Sequence, residues 1–305
     1  MKFDMCCQGG GVKLPALAGA YTHITDQGFT LSHSCGTSAG AILASVATAG
    51  YSAEEIKSII MDTDFTRFQD GGRFKLYDIL RHNGIYKGDN FYYYIKDLLS
   101  KKGINNFGDV KYDNFDKKYR YRLKVVASDV TNSKIMVLPD DLPDYGLDID
   151  TFEVATAVRC SMSIPFVFRP MRISRSVLVD GGLSSNYPIW IFDSEDEPDH
   201  PTFGLSLYTS QDRAPQKTNN PINLAKALLD TMLQSHDKQF IRPADYINRT
   251  ISISVGNTNP VDFGISTEKK EWLYRQGYEA ATDFLKDWSW NRYKRWAINS
   301  RSRNL

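Results

Sequence analysis

The 305-residue sequence has little of several features that would mark whole classes of protein. Its 37 basic and 36 acidic residues leave a formal net charge of +1, which argues against a nucleic-acid binder held by overall charge. No apolar run is long enough for a transmembrane helix, and residues 1–8 lack the apolar core of a signal peptide. An aromatic content of 12% excludes disorder across the whole chain, so we expect a globular protein.

Cysteine and histidine are also scarce, at four and five residues. Four cysteines do not make a disulfide framework, and no CxxC or Cys/His spacing indicates a zinc site. The acidic stretch 140–150 lacks the residue spacing of a calcium loop. We therefore expect reduced thiols, no cofactor and no metal, in a cytoplasmic protein.

Strand and helix patterns alternate along the chain, which favours an α/β fold with a mostly parallel central sheet and helices on both faces. The residues from 62 to 120 are aromatic and charged, and we interpret them as a helical insertion over the core. The strands are predicted over 2–7, 33–35, 122–128, 134–138, 177–179 and 250–255. The helices are predicted over 14–27, 38–48, 53–61, 152–160, 224–240 and 267–288.

The sharpest chemical signal is the GxSxG pentapeptide Gly36-Thr37-Ser38-Ala39-Gly40, between a short predicted strand and a helix rich in small residues. A serine in this pattern lies on a tight strand-to-helix turn, and the glycines let strand and helix approach closely. The hydroxyl then lies at a helix N-terminus, where free N–H groups favour developing negative charge. We predict Ser38 as a nucleophile, Gly36 and Gly40 as support for the turn, and the Ala39 amide as part of an oxyanion hole.

A second glycine-rich segment, Gly9-Gly10-Gly11-Val12-Lys13, also lies between a strand and a helix. A dinucleotide fingerprint would need a further glycine at position 14, and a P-loop would need GxxxxGK[ST], so neither pattern is complete. The backbone amides of Gly9, Gly10 and Gly11 can instead form an oxyanion hole, with Lys13 as a supporting residue. A glycine turn without a chemical role is the alternative.

The third signal is Asp180-Gly181-Gly182, directly after a predicted strand. A carboxylate at a strand end lies on the edge where α/β sites form, although a plain turn is the alternative. A Ser-His-Asp triad would need a histidine, and none lies in a glycine-rich or strand-end context. The five candidates are His23, His33, His82, His200 and His236. In α/β-hydrolases the nucleophile follows several strands, whereas Ser38 follows only one, which favours Asp180 as a base without histidine.

In this order, GGGVK, GTSAG and DGG resemble the motifs of the patatin-like phospholipase family. Several further segments are similar to the family, and the resemblance extends from about residue 3 to residue 285. These segments are 127–131 (ASDVT), 159–165 (RCSMSIP), Asn186, Pro188 and 262–263. The resemblance implies a patatin-like three-layer α/β/α fold, a Ser38–Asp180 dyad and an oxyanion hole at Gly9 to Gly11, with Gly181 and Gly182 as supporting residues. The chain departs from the family pattern at Gln8, Leu14 and Cys160.

The resemblance also implies a serine lipid acyl hydrolase of phospholipase A or lysophospholipase type, which cleaves fatty-acyl esters through an acyl-enzyme. An acyltransferase that uses the same acyl-enzyme and a non-catalytic binding scaffold on the hydrolase fold are the alternatives. The expected partners are a lipid substrate and, transiently, a membrane surface, with no nucleic acid.

We predict two regions, a patatin-like domain over 1–285 and a basic, aromatic C-terminal tail over 286–305. The tail holds six basic residues, one acidic residue and four aromatic residues, a composition that suits a membrane interface. We hypothesise that it docks on anionic membranes. Packing of its tryptophans on the core is the alternative.

Overall fold

A computed structural model of the chain describes residues 1–72, 74–112, 116–193, 196–209, 218–219, 227, 231 and 247–301. The strands are β1 (Lys2–Cys7), β2 (Thr30–Thr37), β3 (Gly84–Tyr86), β4 (Leu123–Asp129), β5 (Lys134–Leu138), β6 (Phe166–Phe168), β7 (Met171–Ile173), β8 (Ser176–Asp180), β9 (Thr202–Tyr208) and β10 (Thr250–Ser254). The helices are α1 (Leu14–Asp26), α2 (Ala39–Thr48), α3 (Ala53–Asp62), α4 (Lys75–His82), α5 (Asp89–Lys101), α6 (Val154–Ser161), α7 (Thr267–Lys286) and α8 (Trp290–Arg301).

The central sheet has the strand order β10-β9-β1-β2-β4-β8-β7, and β5 also pairs with β4. Neighbouring strands from β10 to β4 are parallel, whereas β5 and β8 run antiparallel to β4, and β7 runs antiparallel to β8. Cys7 pairs with Gly36 and Thr37 pairs with Val126, so β1 and β2 end on one edge of the sheet. The predicted three-layer α/β/α fold with a mostly parallel sheet is confirmed.

Side chains alternate between the two faces of the sheet, and each face carries a hydrophobic cluster. Phe3 and Met5 of β1 belong to the larger cluster, which includes side chains of α1, α2, α3, α5, α6 and α7. Cys6 of β1 and Cys35 of β2 belong to the smaller cluster, together with side chains from residues 187–192. All four cysteines are free and buried, which agrees with the expectation of reduced thiols.

The segment 62–120 is less helical than predicted, because it contains the strand β3 as well as α4 and α5. β3 pairs in parallel with β6, so that Gly84 lies opposite Phe166. This small second sheet joins the segment 62–120 to β6, which precedes β8 in the chain. The helix predicted over 224–240 falls almost entirely outside the described residues.

Within the segment that we predicted as a tail, Lys286 ends α7 and residues Trp290–Arg301 form α8. Tyr293 and Ala297 of α8 are buried. Trp288 contacts Phe203 and Phe29 edge to face, with ring centroids 5.1 Å and 5.9 Å apart. These rings therefore pack on the protein, and the domain boundary after residue 285 stays a prediction. No helix in the described part of the chain combines the length and apolarity needed to cross a membrane.

Candidate active site

Ser38 occupies a strained turn between β2 and α2. Its backbone has φ 54° and ψ −123°, a conformation that non-glycine residues rarely adopt and that costs about 1–3 kcal/mol. The flanking glycines are required by close packing. A Cβ on Gly36 would lie 2.2 Å from the carbonyl carbon of Gly40, and a Cβ on Gly40 would lie 2.3 Å from the Cys7 oxygen. The turn therefore sets the Ser38 side chain at the N-terminus of α2, as the pentapeptide predicted.

Two residues at the C-terminal end of α6 contact Ser38. The Ser38 N–H donates to Ser161 Oγ at 2.8 Å, and Ser161 Oγ in turn donates to the Val126 carbonyl at 2.6 Å. The Ser38 hydroxyl lies 3.5 Å from Met162 Sδ. Sequence analysis assigned no role to Ser161, although Ser161 belongs to the segment RCSMSIP on which part of the family resemblance rests.

Asp180 is the last residue of β8 and lies opposite Ala127 of β4. β8 is antiparallel to the parallel strands, but its last residue still lies beside the end of β2. The reason is that Thr37 of β2 pairs with Val126 of β4. The sheet therefore brings Ser38 and Asp180 together from positions 142 residues apart in the sequence.

Asp180 is almost fully buried and only partly hydrogen-bonded. Its backbone N–H donates to the Ser163 carbonyl at 2.9 Å, and its Oδ1 accepts from the Gly182 N–H at 2.8 Å. Its Oδ2 has no hydrogen-bond partner among the described residues. Burial raises the pKa of Asp180 to about 6, although the neighbouring Ser38 hydroxyl and the hydrogen bond from the Gly182 amide lower it in part. The Ser38 hydroxyl is thus near enough to lower the pKa of Asp180 without forming a hydrogen bond to Oδ2 in this structure.

The glycine loop from Gly9 to Gly11 lies against the nucleophile turn. A Cβ on Gly9 would lie 3.2 Å from Ser38 Cβ, and the Gly9 N–H donates to the Asn186 carbonyl at 2.9 Å. The N–H groups of Gly10, Gly11 and Ala39 have no acceptor within the described ranges. Three amides therefore remain for an oxyanion, and the Gly9 amide is already used.

The residues after the glycine loop explain one departure from the family pattern. Residues Gly11–Lys13 form a single 3-10 turn, the Lys13 side chain is buried, and α1 begins at Leu14 with Pro15 in its first turn. Leu14 is buried and already helical, so the turn of the loop is complete before position 14 and does not need a third glycine there.

The described histidines do not hydrogen-bond with Ser38 or Asp180. His33 Nδ1 and His200 Nε2 lie 3.2 Å and 2.9 Å from Asp4 Oδ1, in the body of the sheet. Within the described ranges, Asp4, His33 and His200 are the one group of side chains placed closely enough to share a metal ion. His236 lies outside the described residues. The contacts of His33 and His200 thus lie with Asp4 and not with Ser38 or Asp180.

Comparison with known proteins assigns the class of protein. Residues 5–193 match the family model for the patatin-like phospholipases, and the chain belongs to that family. It is similar to the uncharacterized protein YqhO of Bacillus subtilis, with 37% identity over 302 residues, 95% of this chain and 100% of YqhO.

Two further likenesses are more distant. The probable lipid hydrolase 463L of Invertebrate iridescent virus 6 is 24% identical over 181 residues, which are 59% of this chain and 60% of that protein. The crystal structure of VipD from Legionella pneumophila has a TM-score of 0.56 at 17% identity, with 93% of this chain and 66% of the VipD chain covered. The likeness to VipD supports the fold.

Proposed function

We propose that this protein is a serine lipid acyl hydrolase in which Ser38 is the nucleophile and Asp180 the general base. The observation that carries the proposal is the unpaired Oδ2 of a buried Asp180 beside the strained Ser38 turn. A buried carboxylate oxygen normally has a hydrogen-bond partner, and one without a partner is available to accept a proton.

The first half of the reaction forms an acyl-enzyme. Asp180 takes the Ser38 proton as Oγ attacks the ester carbonyl carbon, and the carbonyl oxygen becomes an oxyanion. The free amides of Gly10, Gly11 and Ala39 and the N-terminus of α2 stabilise this negative charge. The intermediate collapses, the ester C–O bond breaks, and Asp180 returns the proton to the departing alcohol.

The second half of the reaction releases the fatty acid. Asp180 takes a proton from water, whose oxygen attacks the acyl carbon and forms a second tetrahedral oxyanion at the same amides. Collapse breaks the bond to Ser38 Oγ, which recovers its proton from Asp180. Because burial raises the pKa of Asp180 to about 6, the carboxylate is still mostly ionised at neutral pH and is a stronger base than an exposed aspartate.

A lipid ester is the substrate class that the family assignment favours. Ile42, one turn of α2 after Ser38, lines an apolar cavity between α2, α3 and α5, whose volume of about 30 Å³ holds about one water molecule and not an acyl chain. Thr63 and Tyr94 are the two lining residues with a hydroxyl, and the other twelve are aliphatic or phenylalanine. The family assignment and the name of the viral relative support the same class.

A fluorophosphonate probe tests the proposal, because it reacts covalently with an activated serine. We expect labelling of the wild type at Ser38, mapped by peptide mass spectrometry, together with release of free fatty acid from phospholipid. Ser38→Ala should abolish both signals. Ser133→Ala is the matched control, because Ser133 also has a positive φ of 54° but is exposed and remote from Asp180 in the fold. Full labelling of Ser38→Ala would refute the proposal.

The same assay separates the alternatives. Transfer of the acyl group to an added alcohol with no free fatty acid would indicate an acyltransferase. Absence of labelling and of turnover would indicate a scaffold.

A further inference from the structure

Helix α4 exposes its apolar side chains to solvent, whereas an ordinary surface helix turns its apolar face to the protein core. No residue of α4 is buried. Three large apolar side chains on one face of the helix are directed to solvent. They are Leu76, Tyr77 and Leu80, with exposed fractions of 60%, 61% and 75%. Their spacing of three and four residues gathers them into one stripe.

The opposite face of α4 makes the contacts with the protein, and it is partly polar. Asp78, Ile79 and His82 are half-buried. Asp78 Oδ1 accepts a hydrogen bond from Arg169 Nη2 at 3.0 Å, which fixes the helix next to β6. The protein therefore uses an ion pair to hold α4 in an orientation that leaves its apolar stripe uncovered.

The residues that follow α4 connect it to the candidate active site. The buried Arg159 donates from Nη2 to the Lys87 carbonyl at 2.6 Å and from Nε to the Gly88 carbonyl at 3.1 Å. Its Nη1 donates to Ser163 Oγ at 2.7 Å, and the Ser163 carbonyl accepts from the Asp180 N–H. Arg159 and Ser163 thus link the segment that follows α4 to the backbone of the proposed base.

Exposed basic side chains lie on α4 and shortly after it. Lys75, Arg81 and Lys87 are exposed, and none of the three forms an ion pair within the described part of the chain. The one acidic residue of α4, Asp78, faces Arg169 instead of solvent. Exposed apolar side chains beside unpaired basic groups are complementary to an anionic lipid surface, in which the rings and leucines enter the headgroup region and the cations meet phosphate or carboxylate.

We propose that α4 is the element that docks this protein on anionic lipid membranes and holds the active site at the lipid surface. The inference rests on the proposed lipid acyl hydrolase, whose substrate resides in such a surface. Our hypothesis for the C-terminal segment stays a prediction, although the rings of Trp288 and Tyr293 pack on the protein in this arrangement.

The test measures vesicle binding separately from catalysis. Full-length Ser38→Ala protein, which cannot consume the lipid, is sedimented with vesicles of phosphatidylcholine containing one fifth phosphatidylserine. We expect Leu76→Ser/Leu80→Ser in this background to lower the partition coefficient at least tenfold. Ile298→Ser, which removes an exposed apolar side chain of α8, should leave the partition coefficient unchanged. Vesicles of phosphatidylcholine alone, or 0.5 M salt, should also weaken binding of the parent protein.

A second readout keeps failure of docking distinct from failure of the proposed chemistry. With Ser38 intact, the ratio of turnover on vesicles to turnover of monomeric p-nitrophenyl butyrate should fall about tenfold in the α4 double variant. Equal vesicle binding by the parent and the double variant would overturn the docking proposal, whatever the enzyme hydrolyses. If sedimentation velocity showed a dimer of the parent protein and a monomer of the double variant, the docking proposal would also be overturned. The stripe would then pack against a second copy of the chain. If the wild type hydrolysed neither the vesicle lipid nor the monomeric ester, the hydrolase proposal would be refuted, and the docking proposal would still be decided by the binding measurement.

Discussion

Two buried carboxylates of the same sheet differ in how well the fold satisfies them. Asp4 lies within β1, and its Oδ1 faces the backbone N–H and Nδ1 of His33 as well as Nε2 of His200. Burial alone would raise the pKa of Asp4, but the hydrogen bonds and charges of His200 and His33 outweigh burial and hold the pKa below its ordinary value. Asp180 has one unpaired oxygen, and its pKa is raised to about 6.

The contrast separates a buried carboxylate that the fold stabilises from the one to which we assign the proposed chemistry. A carboxylate surrounded by donors is stabilised in its charged form, and it is a poor proton acceptor because that form is already satisfied. A carboxylate that is buried with too few donors destabilises the folded protein and retains a free proton-accepting oxygen. Such an unfavourable arrangement is expected at a functional site, where activity and stability compete.

Removal of either member of the proposed dyad should produce the largest effect. We expect Ser38→Ala and Asp180→Asn each to lower kcat/KM for a monomeric ester by about 10⁴-fold, because both act in the same proton transfer. The double variant should be no worse than either single variant. Multiplicative losses in the double variant would show that the two residues act independently.

The substitution Asp4→Asn should affect stability instead of catalysis. It replaces a buried carboxylate that accepts several hydrogen bonds by a neutral amide, and loss of one buried hydrogen-bond partner costs about 1–3 kcal/mol. Urea denaturation measures the loss. The lowered pKa of Asp4 means that its contribution is present above the ordinary carboxyl pKa and is lost as the pH falls further, so the difference from wild type should shrink in acid. A large fall in kcat/KM of the folded variant would mean that Asp4 takes part in catalysis.

The same substitution at Asp180 should have the opposite effect on stability. The raised pKa means that ionisation of Asp180 destabilises the folded state as the pH rises from about 4 through about 6. An amide does not ionise, so Asp180→Asn should gain about 1 kcal/mol at pH 7 and less at pH 4. Urea midpoints at the two pH values measure the gain. A loss of stability that grows with pH would contradict the electrostatic account of Asp180.

Removal of divalent metal should produce the smallest effect. The proposed oxyanion site consists of backbone amides, so we expect kcat/KM for the monomeric ester to be unchanged by EDTA and by subsequent calcium. The α4 double variant provides a parallel control, because its turnover of the monomeric ester should likewise be unaffected by EDTA. Full loss of turnover in EDTA, restored by calcium alone, would contradict this expectation.

The sequence predicts the elements that carry local patterns, and it misses those that depend on distant contacts. The helix predicted over 53–61 is confirmed as α3, and it begins with a capping box whose hydrogen bonds join Ser52 and Glu55, three residues apart. β9 was not predicted, although it lies between β10 and β1. Its interior Gly204 weakens the strand pattern, but a Cβ there would lie 1.7 Å from the Tyr187 hydroxyl. The glycine is therefore required by a residue that sequence reasoning cannot place beside it.

The candidate site shows the same difference between features that follow from local sequence and features that depend on distant contacts. Ser38 and the glycine loop were predicted because each motif determines a local turn. The role of Ser161 and the unpaired oxygen of Asp180 could not be predicted, because both depend on how α6 and β8 pack against β4. The exposed face of α4 was missed for a similar reason. Its apolar spacing is visible in the sequence, but only the Asp78–Arg169 ion pair determines which face points outward.

The pH dependence of kcat/KM tests the central claim, that Asp180 is the base, most directly. We expect activity on p-nitrophenyl butyrate to rise along a single limb with an apparent pKa of about 6, the value to which burial raises the pKa of Asp180. The limb should persist in His200→Ala, since that histidine pairs with Asp4. A limb that disappears in His200→Ala, or activity that stays constant from pH 4.5 to pH 8, would contradict the assignment of Asp180.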